Sequence, residues 1–212
     1  RLFRDNLLLF FSVVLDFYIF SAAKYAIEGN MTDADLAVYG AIFMPTSVIN
    51  LVAGFVIRPY LTKLSVQWEN RRYKRFRSIV KNLVLVILGL TVVAVLGAWF
   101  LGIPVLSLLY PNIGYALARC RTALLYIILG GALNALMTLF YYSLIIMKWQ
   151  RVIFAGYAGV GAAAFLISPV FVRAMGIDGG AFSYMILMFL LMLCFGAAAF
   201  GIYRRTVLCE LG

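Results

Sequence analysis

Long apolar runs separated by short polar segments make up nearly the whole chain. Six runs of about 20 residues carry almost no charge. A helix of about 20 residues crosses a hydrocarbon core of about 30 Å, whereas the strands of a membrane barrel show short alternating segments. The pattern therefore predicts an all-α integral membrane protein, a single six-helix bundle over residues 1–212. The predicted spans are approximately 6–26, 36–58, 82–102, 122–147, 152–173 and 181–203.

Composition supports the same class. Hydrophobic residues make up 65% of the chain and charged residues 12%, compared with about 25% charged residues in a typical soluble domain. The first run is long, contains Asp16 and leads into further spans, so it is not interpreted as a cleavable signal peptide. The chain begins with Arg1, which suggests a fragment of a longer protein.

The basic residues are distributed unevenly between alternate loops. With the N-terminus placed in the cytoplasm, fourteen of the 18 lysines and arginines fall inside, and only Lys24, Arg119, Arg121 and Arg173 fall outside. This asymmetry predicts both termini in the cytoplasm. The dense run "RRYKRFR" (71–77) is then expected to lie against anionic lipid headgroups. Nucleic-acid binding is not expected, because no folded module surrounds the run.

The motifs of several enzyme classes are absent from the sequence. It contains no histidine, no GxxxxGK[ST] motif and no CxxC pair, and Asp16 is the lone acid within the predicted spans. Neither an enzyme nor a cofactor or metal site is therefore expected. Cys120, Cys194 and Cys209 fall at different depths, so no disulfide is predicted. The glycines of "GYAGVGAAA" (156–164) favour a close-packing helix surface.

Polar residues form slowly winding stripes within three of the spans. A step of four residues drifts about 40° around a helix. For the stripe in the fourth span, contact between helices is the favoured interpretation. Charges at membrane depth more often face a watery cavity or a substrate path, although Arg58 is also placed to reach the cytoplasmic interface. The stripes comprise Ser12, Asp16 and Lys24 in the first span, Thr46, Asn50, Gly54 and Arg58 in the second, and Gly130, Asn134, Thr138 and Tyr142 in the fourth.

Two prolines interrupt apolar runs. Pro45 lies in the outer third of the second span and Pro169 lies late in the fifth. Each predicts a broken helix or a simple kink, since proline removes one helical hydrogen bond.

Four segments resemble a known family of membrane proteins. They are "KYAIEGNMTDADLAVYGAIFMPTSVINLVAGFVIRPYLTKLSVQW", "LGIPVLSLLY", "GGALNALMTLFYYSLIIM" and "SPVFVRAMGIDGGAFSY". In order and spacing they resemble the later half of bacterial polysaccharide biosynthesis proteins, the oligosaccharide flippases of the multidrug/oligosaccharidyl-lipid/polysaccharide exporter superfamily. The resemblance implies one half of a twelve-helix transporter that moves a polyprenyl-diphosphate-linked sugar across the bacterial cytoplasmic membrane by alternating access.

The resemblance also implies substrate-binding residues. The first two helices of each bundle line the cavity in this family, which places Asp16, Lys24, Asn50 and Arg58 there. Arg58 suits two-point contact with a diphosphate, and Lys24 offers a flexible point charge. Asp16 would offset Lys24 or bind a coupling cation. A purely interfacial role for Lys24 beside Tyr25 is the alternative.

Three functions are consistent with these features. The first is a lipid-linked oligosaccharide flippase, whose partners are the lipid-linked sugar, membrane lipids, and an N-terminal six-span half or a second copy of the chain. The second is a drug/cation antiporter of the same superfamily, for which cavity acids should outnumber bases. The third is a non-transporting scaffold of a polysaccharide-synthesis complex.

Overall fold

The computed structural model describes the backbone of residues 2–111, 117 and 119–211, and the side chains of residues 7–111, 117 and 119–208. Within these ranges the chain forms helices and short turns, and no strand. A π-helical segment, Ala98–Gly102, joins α3 to α4. The helices are α1 Leu2–Glu28, α2 Asp33–Glu69, α3 Tyr73–Gly97, α4 Ile103–Leu109, α5 Arg121–Ile146 and α6 Gln150–Leu211.

Five helical segments are long and apolar enough to cross a membrane. They confirm the predicted all-α class. The first four predicted spans each fall in a separate segment, and the last two both fall in α6. The segments are Leu7–Glu28, Asp33–Glu69, Tyr73–Leu109, Arg121–Ile146 and Gln150–Leu208.

Helix α6 reverses direction at Gly176, where φ is 61° and ψ is −133°. The rings of Tyr157 and Phe195 lie 5.0 Å apart. In a straight helix these two residues would be about 57 Å apart. Helix α6 therefore consists of two antiparallel limbs, residues 150–175 and 177–211, which contain the predicted spans 152–173 and 181–203.

The prolines do not break their helices. Helix α2 continues through Pro45 and Pro59, and the first limb of α6 continues through Pro169. Of the two alternatives predicted at Pro45 and Pro169, a broken helix or a simple kink, the broken helix is therefore wrong. Proline removes only one backbone donor and fixes a helical φ, so a packed helix tolerates it. Reversal instead requires a positive φ, which glycine adopts at little cost.

Helix α5 lies at the centre of the bundle. Its apolar segment is 61% buried, against 33% or less for the other four. A Cβ on Gly130 would lie 2.6 Å from the Tyr184 ring in the second limb of α6, and one on Gly131 would lie 3.2 Å from Thr46 of α2. Small residues at these positions let the neighbouring helices approach closely.

The turns alternate between two ends of the bundle. At one end, the hydroxyl of Tyr203 donates to the carbonyl of Tyr73 across 3.4 Å. At the opposite end, Nε of Arg173 donates to Oδ1 of Asn30 across 2.8 Å. We call the first the basic end. It carries Lys63, Arg71, Arg72, Lys74, Arg75, Arg77, Lys81, Lys148, Arg151, Arg204 and Arg205.

Two of the three cysteines lie within the described residues. Cys120 and Cys194 are free thiols. The sequence also predicts cytoplasmic positions for Arg1, Arg4 and Cys209. Their side chains lie outside the described residues.

Candidate functional site

Asp16 lies midway along the apolar part of α1 and is half-buried. Its carboxylate interacts with the hydroxyl of Tyr157 in the first limb of α6. Tyr157 is buried, and its hydroxyl oxygen lies 3.6 Å from Sδ of Met137 on α5. A carboxylate at this depth requires a polar partner because hydrocarbon offers it none. Three helices therefore meet at the Asp16 carboxylate.

Small residues allow the first limb of α6 to pack this closely. A Cβ on Gly161 would lie 3.4 Å from Leu15, next to Asp16, and one on Gly156 would lie 2.5 Å from the Phe195 ring. Gly159 faces open space. The close-packing interpretation of the glycine-rich run is confirmed at Gly156, next to Tyr157, whereas a Cβ on Gly161 would make ordinary contact with Leu15.

Two aromatic rings, those of Tyr141 and Phe195, lie beside the Tyr157 ring. The Tyr141 ring lies 6.2 Å from that of Tyr157 and 6.5 Å from that of Phe195. Within the described residues, no group of three or more histidine, cysteine or acidic side chains is arranged to hold a metal ion. One carboxylate beside one hydroxyl is a donor set that suits a proton or a weakly held monovalent cation.

A second polar contact lies on the same turn of α5. Nδ2 of Asn134 donates to Oδ1 of Asn50 on α2 across 3.1 Å. Asn134 and Met137 are three residues apart, so the two contacts flank one turn of the central helix. We call Asp16, Tyr157, Asn134 and Asn50 the central polar layer. It connects α1, α2, α5 and the first limb of α6.

Lys24 and Arg58 do not belong to the central polar layer. Both are exposed, and neither donates a hydrogen bond or forms an ion pair within the part of the chain that the structure describes. Lys24 lies about 12 Å beyond Asp16 along α1, and Arg58 lies about 12 Å beyond Asn50 along α2. The four predicted site residues therefore do not converge on one pocket: two occupy the centre and two lie toward opposite ends.

The winding of the α2 stripe explains this separation. Thr46 is fully buried against Gly131 of α5. Three steps of about 40° then rotate the stripe by about 120°, which brings Arg58 onto the exposed face. The stripe on α5 instead contacts neighbouring helices. Gly130 packs on Tyr184, and Asn134 forms a hydrogen bond with Asn50. The helix-contact interpretation of the α5 stripe is confirmed at these two residues.

Tyr157, Met137 and Tyr141 were not identified from the sequence as site residues. Tyr157 stands inside a glycine-rich run whose obvious role is packing. The signal that could have identified it is the tyrosine hydroxyl itself, which needs a partner when it is buried in an apolar span.

Comparisons with protein-family models, with curated proteins and with solved structures give no match to this chain.

Proposed function

We propose that the chain is a membrane transporter, or half of one, which moves a polyprenyl-diphosphate-linked oligosaccharide across the bacterial cytoplasmic membrane without covalent chemistry. The observation that carries the proposal is the arrangement of charge along α1 and α2. Asp16 lies beside the Tyr157 hydroxyl in the middle of the bundle, while Lys24 and Arg58 are exposed toward its two ends. Charged groups at membrane depth are costly and commonly mark substrate or ion pathways.

The proposed topology has six crossings. Each limb of α6 counts as one crossing, and the basic end faces the cytoplasm together with both termini. The support is the concentration of lysine and arginine at the basic end, as the positive-inside rule requires.

In the proposed mechanism, Arg58 and Lys24 act in succession. Arg58 lies about 38 Å along α2 from Asp33, which begins that helix close to the Lys24 end of α1. One diphosphate group cannot reach both cations at the same time. Arg58 binds the diphosphate by two-point contact at the cytoplasmic end, and Lys24 receives it at the outer end.

The central polar layer has two proposed roles between these ends. Oδ1 of Asn50 accepts from Asn134, which leaves the Nδ2 group of Asn50 able to donate to a sugar hydroxyl. Asp16 holds a coupling proton or cation beside the Tyr157 hydroxyl.

The proposed transporter is completed by an N-terminal six-span half or by a second copy of the chain. Ser47, Arg58 and Thr62 are exposed on α2. Polar groups on a span are costly against lipid, so a partner that encloses an aqueous cavity would stabilise this face.

One observation favours a second candidate, the drug/cation antiporter. Within the described spans the charge that lies closest to the middle is the acid Asp16, whereas Lys24 and Arg58 lie toward the helix ends. A central acid suits an organic cation better than it suits a diphosphate.

A transport assay separates these candidates. The protein, alone and co-reconstituted with an upstream six-span half, is tested in proteoliposomes with a fluorescent polyprenyl-diphosphate disaccharide and with ethidium. Movement of the lipid to a leaflet where an impermeant quencher reaches it supports the flippase. Ethidium exchange driven by a proton or sodium gradient, without lipid movement, supports the antiporter. If neither the lipid nor ethidium moves, transport is contradicted, and the non-transporting scaffold is the remaining candidate.

A further inference from the structure

A crevice at the basic end opens between the α2–α3 turn and the second limb of α6. It encloses about 560 Å³, and its walls include Arg72, Lys74, Arg75, Tyr203 and Val207. The three basic side chains are exposed. No acidic residue is among the described residues that line the crevice, so its walls carry an excess of positive charge.

An apolar groove continues from the crevice toward the middle of the bundle. It encloses about 110 Å³ between α3, α5 and the second limb, and it includes Phe76, Val80, Phe140 and Phe200. Tyr203 lines both spaces. A strongly cationic space and an apolar space are thus joined at one tyrosine, which is the residue type typical of a membrane–water interface.

The crevice is held in shape by contacts on both of its walls. The Trp68 ring lies 5.0 Å from that of Tyr73 and 5.2 Å from that of Phe76, which fixes the α2–α3 turn. The Tyr203 hydroxyl donates to the Tyr73 carbonyl and ties this turn to the second limb. These contacts connect the two walls of the crevice.

We propose that the crevice and groove together bind one anionic phospholipid of the bilayer. Its phosphate lies among Arg72, Lys74 and Arg75, and the upper part of one acyl chain lies against Phe200 in the groove. Arginine and lysine bind phosphate oxygens well. The apolar groove can pack against the methylene groups of an acyl chain that enters it. A soluble anion would contact the crevice but not the apolar groove. The crevice and groove together therefore favour a phospholipid as the ligand. The site is separate from Asp16, Asn50 and Arg58, and the proposal does not depend on transport.

Native mass spectrometry of the full chain in detergent tests this inference, with phosphatidylglycerol and phosphatidylcholine as probes. We expect one saturable phosphatidylglycerol per chain. The triple variant Arg72→Gln/Lys74→Gln/Arg75→Gln should bind it at least about tenfold more weakly. The matched control Lys63→Gln/Lys148→Gln/Arg151→Gln removes equal charge from the same end and should change binding by less than about twofold.

A second pair of variants tests the groove. Phe200→Ala removes an exposed groove residue and should weaken phosphatidylglycerol binding measurably, by at least about twofold, because the acyl chain loses packing contacts with the ring. Phe189→Ala changes a similarly exposed phenylalanine of the same limb outside the groove and should leave binding unchanged.

Four results would overturn the proposal. Equal losses in the two triple variants would show diffuse attraction, and equally tight phosphatidylcholine would remove any role for the anionic headgroup. Displacement of phosphatidylglycerol by an equal concentration of inorganic phosphate would indicate a site for free phosphate. No difference between Phe200→Ala and Phe189→Ala would exclude the groove.

Discussion

Asn134 on α5 donates a hydrogen bond from Nδ2 to Oδ1 of Asn50 on α2 across 3.1 Å. The bond joins the central helix to the helix that carries Arg58 at its exposed end. On the same turn of α5, Met137 contacts the Tyr157 hydroxyl, which faces Asp16. A movement of α5 at this level would therefore disturb both α1 and α2, and the stability of the layer can be measured separately from transport.

Asn134→Leu should lower the free energy of unfolding by about 0.6–2 kcal/mol, because it removes a hydrogen bond between helices in an apolar environment. Thermal unfolding of the purified protein in detergent measures the change. Asn82→Leu is the matched control, since Asn82 is exposed on α3. In a double-mutant cycle with Asn50→Leu, the two losses should be less than additive. Simple additivity would show that the bond contributes nothing.

Gly176→Ala should destabilise the fold by about 1–3 kcal/mol, because a side chain is strained at the positive φ of the α6 reversal. Gly159→Ala provides the comparison, since its Cβ would meet nothing within 4 Å. Both variants are measured by thermal unfolding in the same detergent. Equal stability of the two would mean that α6 does not reverse at Gly176.

Tyr157→Phe should lower stability by about 1–3 kcal/mol, because it leaves the Asp16 carboxylate without the hydroxyl that faces it. The loss should shrink in an Asp16→Asn background, where no carboxylate remains. Tyr126→Phe controls for loss of a hydroxyl at a half-buried tyrosine elsewhere in the bundle. Unfolding is followed by tryptophan fluorescence. If Tyr157→Phe had the same effect with and without the carboxylate, the Asp16–Tyr157 pair would carry no energy.

Reporter fusions test the six-crossing topology. A reporter after Asn70 or Arg205 should be active in the cytoplasm, and one near Thr32 or Asp178 should be active outside. The Asp178 fusion is the sharpest, because it follows directly after the reversal in α6. External labelling of the 71–77 segment in intact cells would contradict the proposed orientation.

The apolar runs predicted the helices well, because a membrane span must form its backbone hydrogen bonds within one helical segment. A turn was predicted between the spans 152–173 and 181–203, and the reversal at Gly176 falls within it. Which residue takes the positive φ was not predicted, because that depends on how the two limbs pack. Asp16 and Asn50 were recognisable as polar residues within apolar spans. The interaction of Asp16 with Tyr157 was not predictable, because it joins residues 141 positions apart and depends on how the first limb of α6 packs against α1.

The central claim is that Arg58 binds the diphosphate of a transported lipid-linked sugar. Arg58→Ala should reduce export by about 10–100-fold, the range expected for loss of a charge-assisted contact. Arg58→Lys should recover only part of the activity, because the planar two-point contact is lost. Neutralising Arg72, Lys74 and Arg75 together should leave export nearly intact, since these residues lie around the α2–α3 turn, and α2 continues for about 16 Å beyond Arg58 before that turn begins.

The most direct measurement is the rate at which lipid-linked oligosaccharide reaches the outer leaflet in cells that carry Arg58→Ala, Arg58→Lys or the 72/74/75 triple variant at matched protein levels. We expect a severe loss for Arg58→Ala, a partial loss for Arg58→Lys and little change for the triple variant. Full export by Arg58→Ala at normal abundance would contradict it, and would show that the arginine only anchors α2 at the membrane interface.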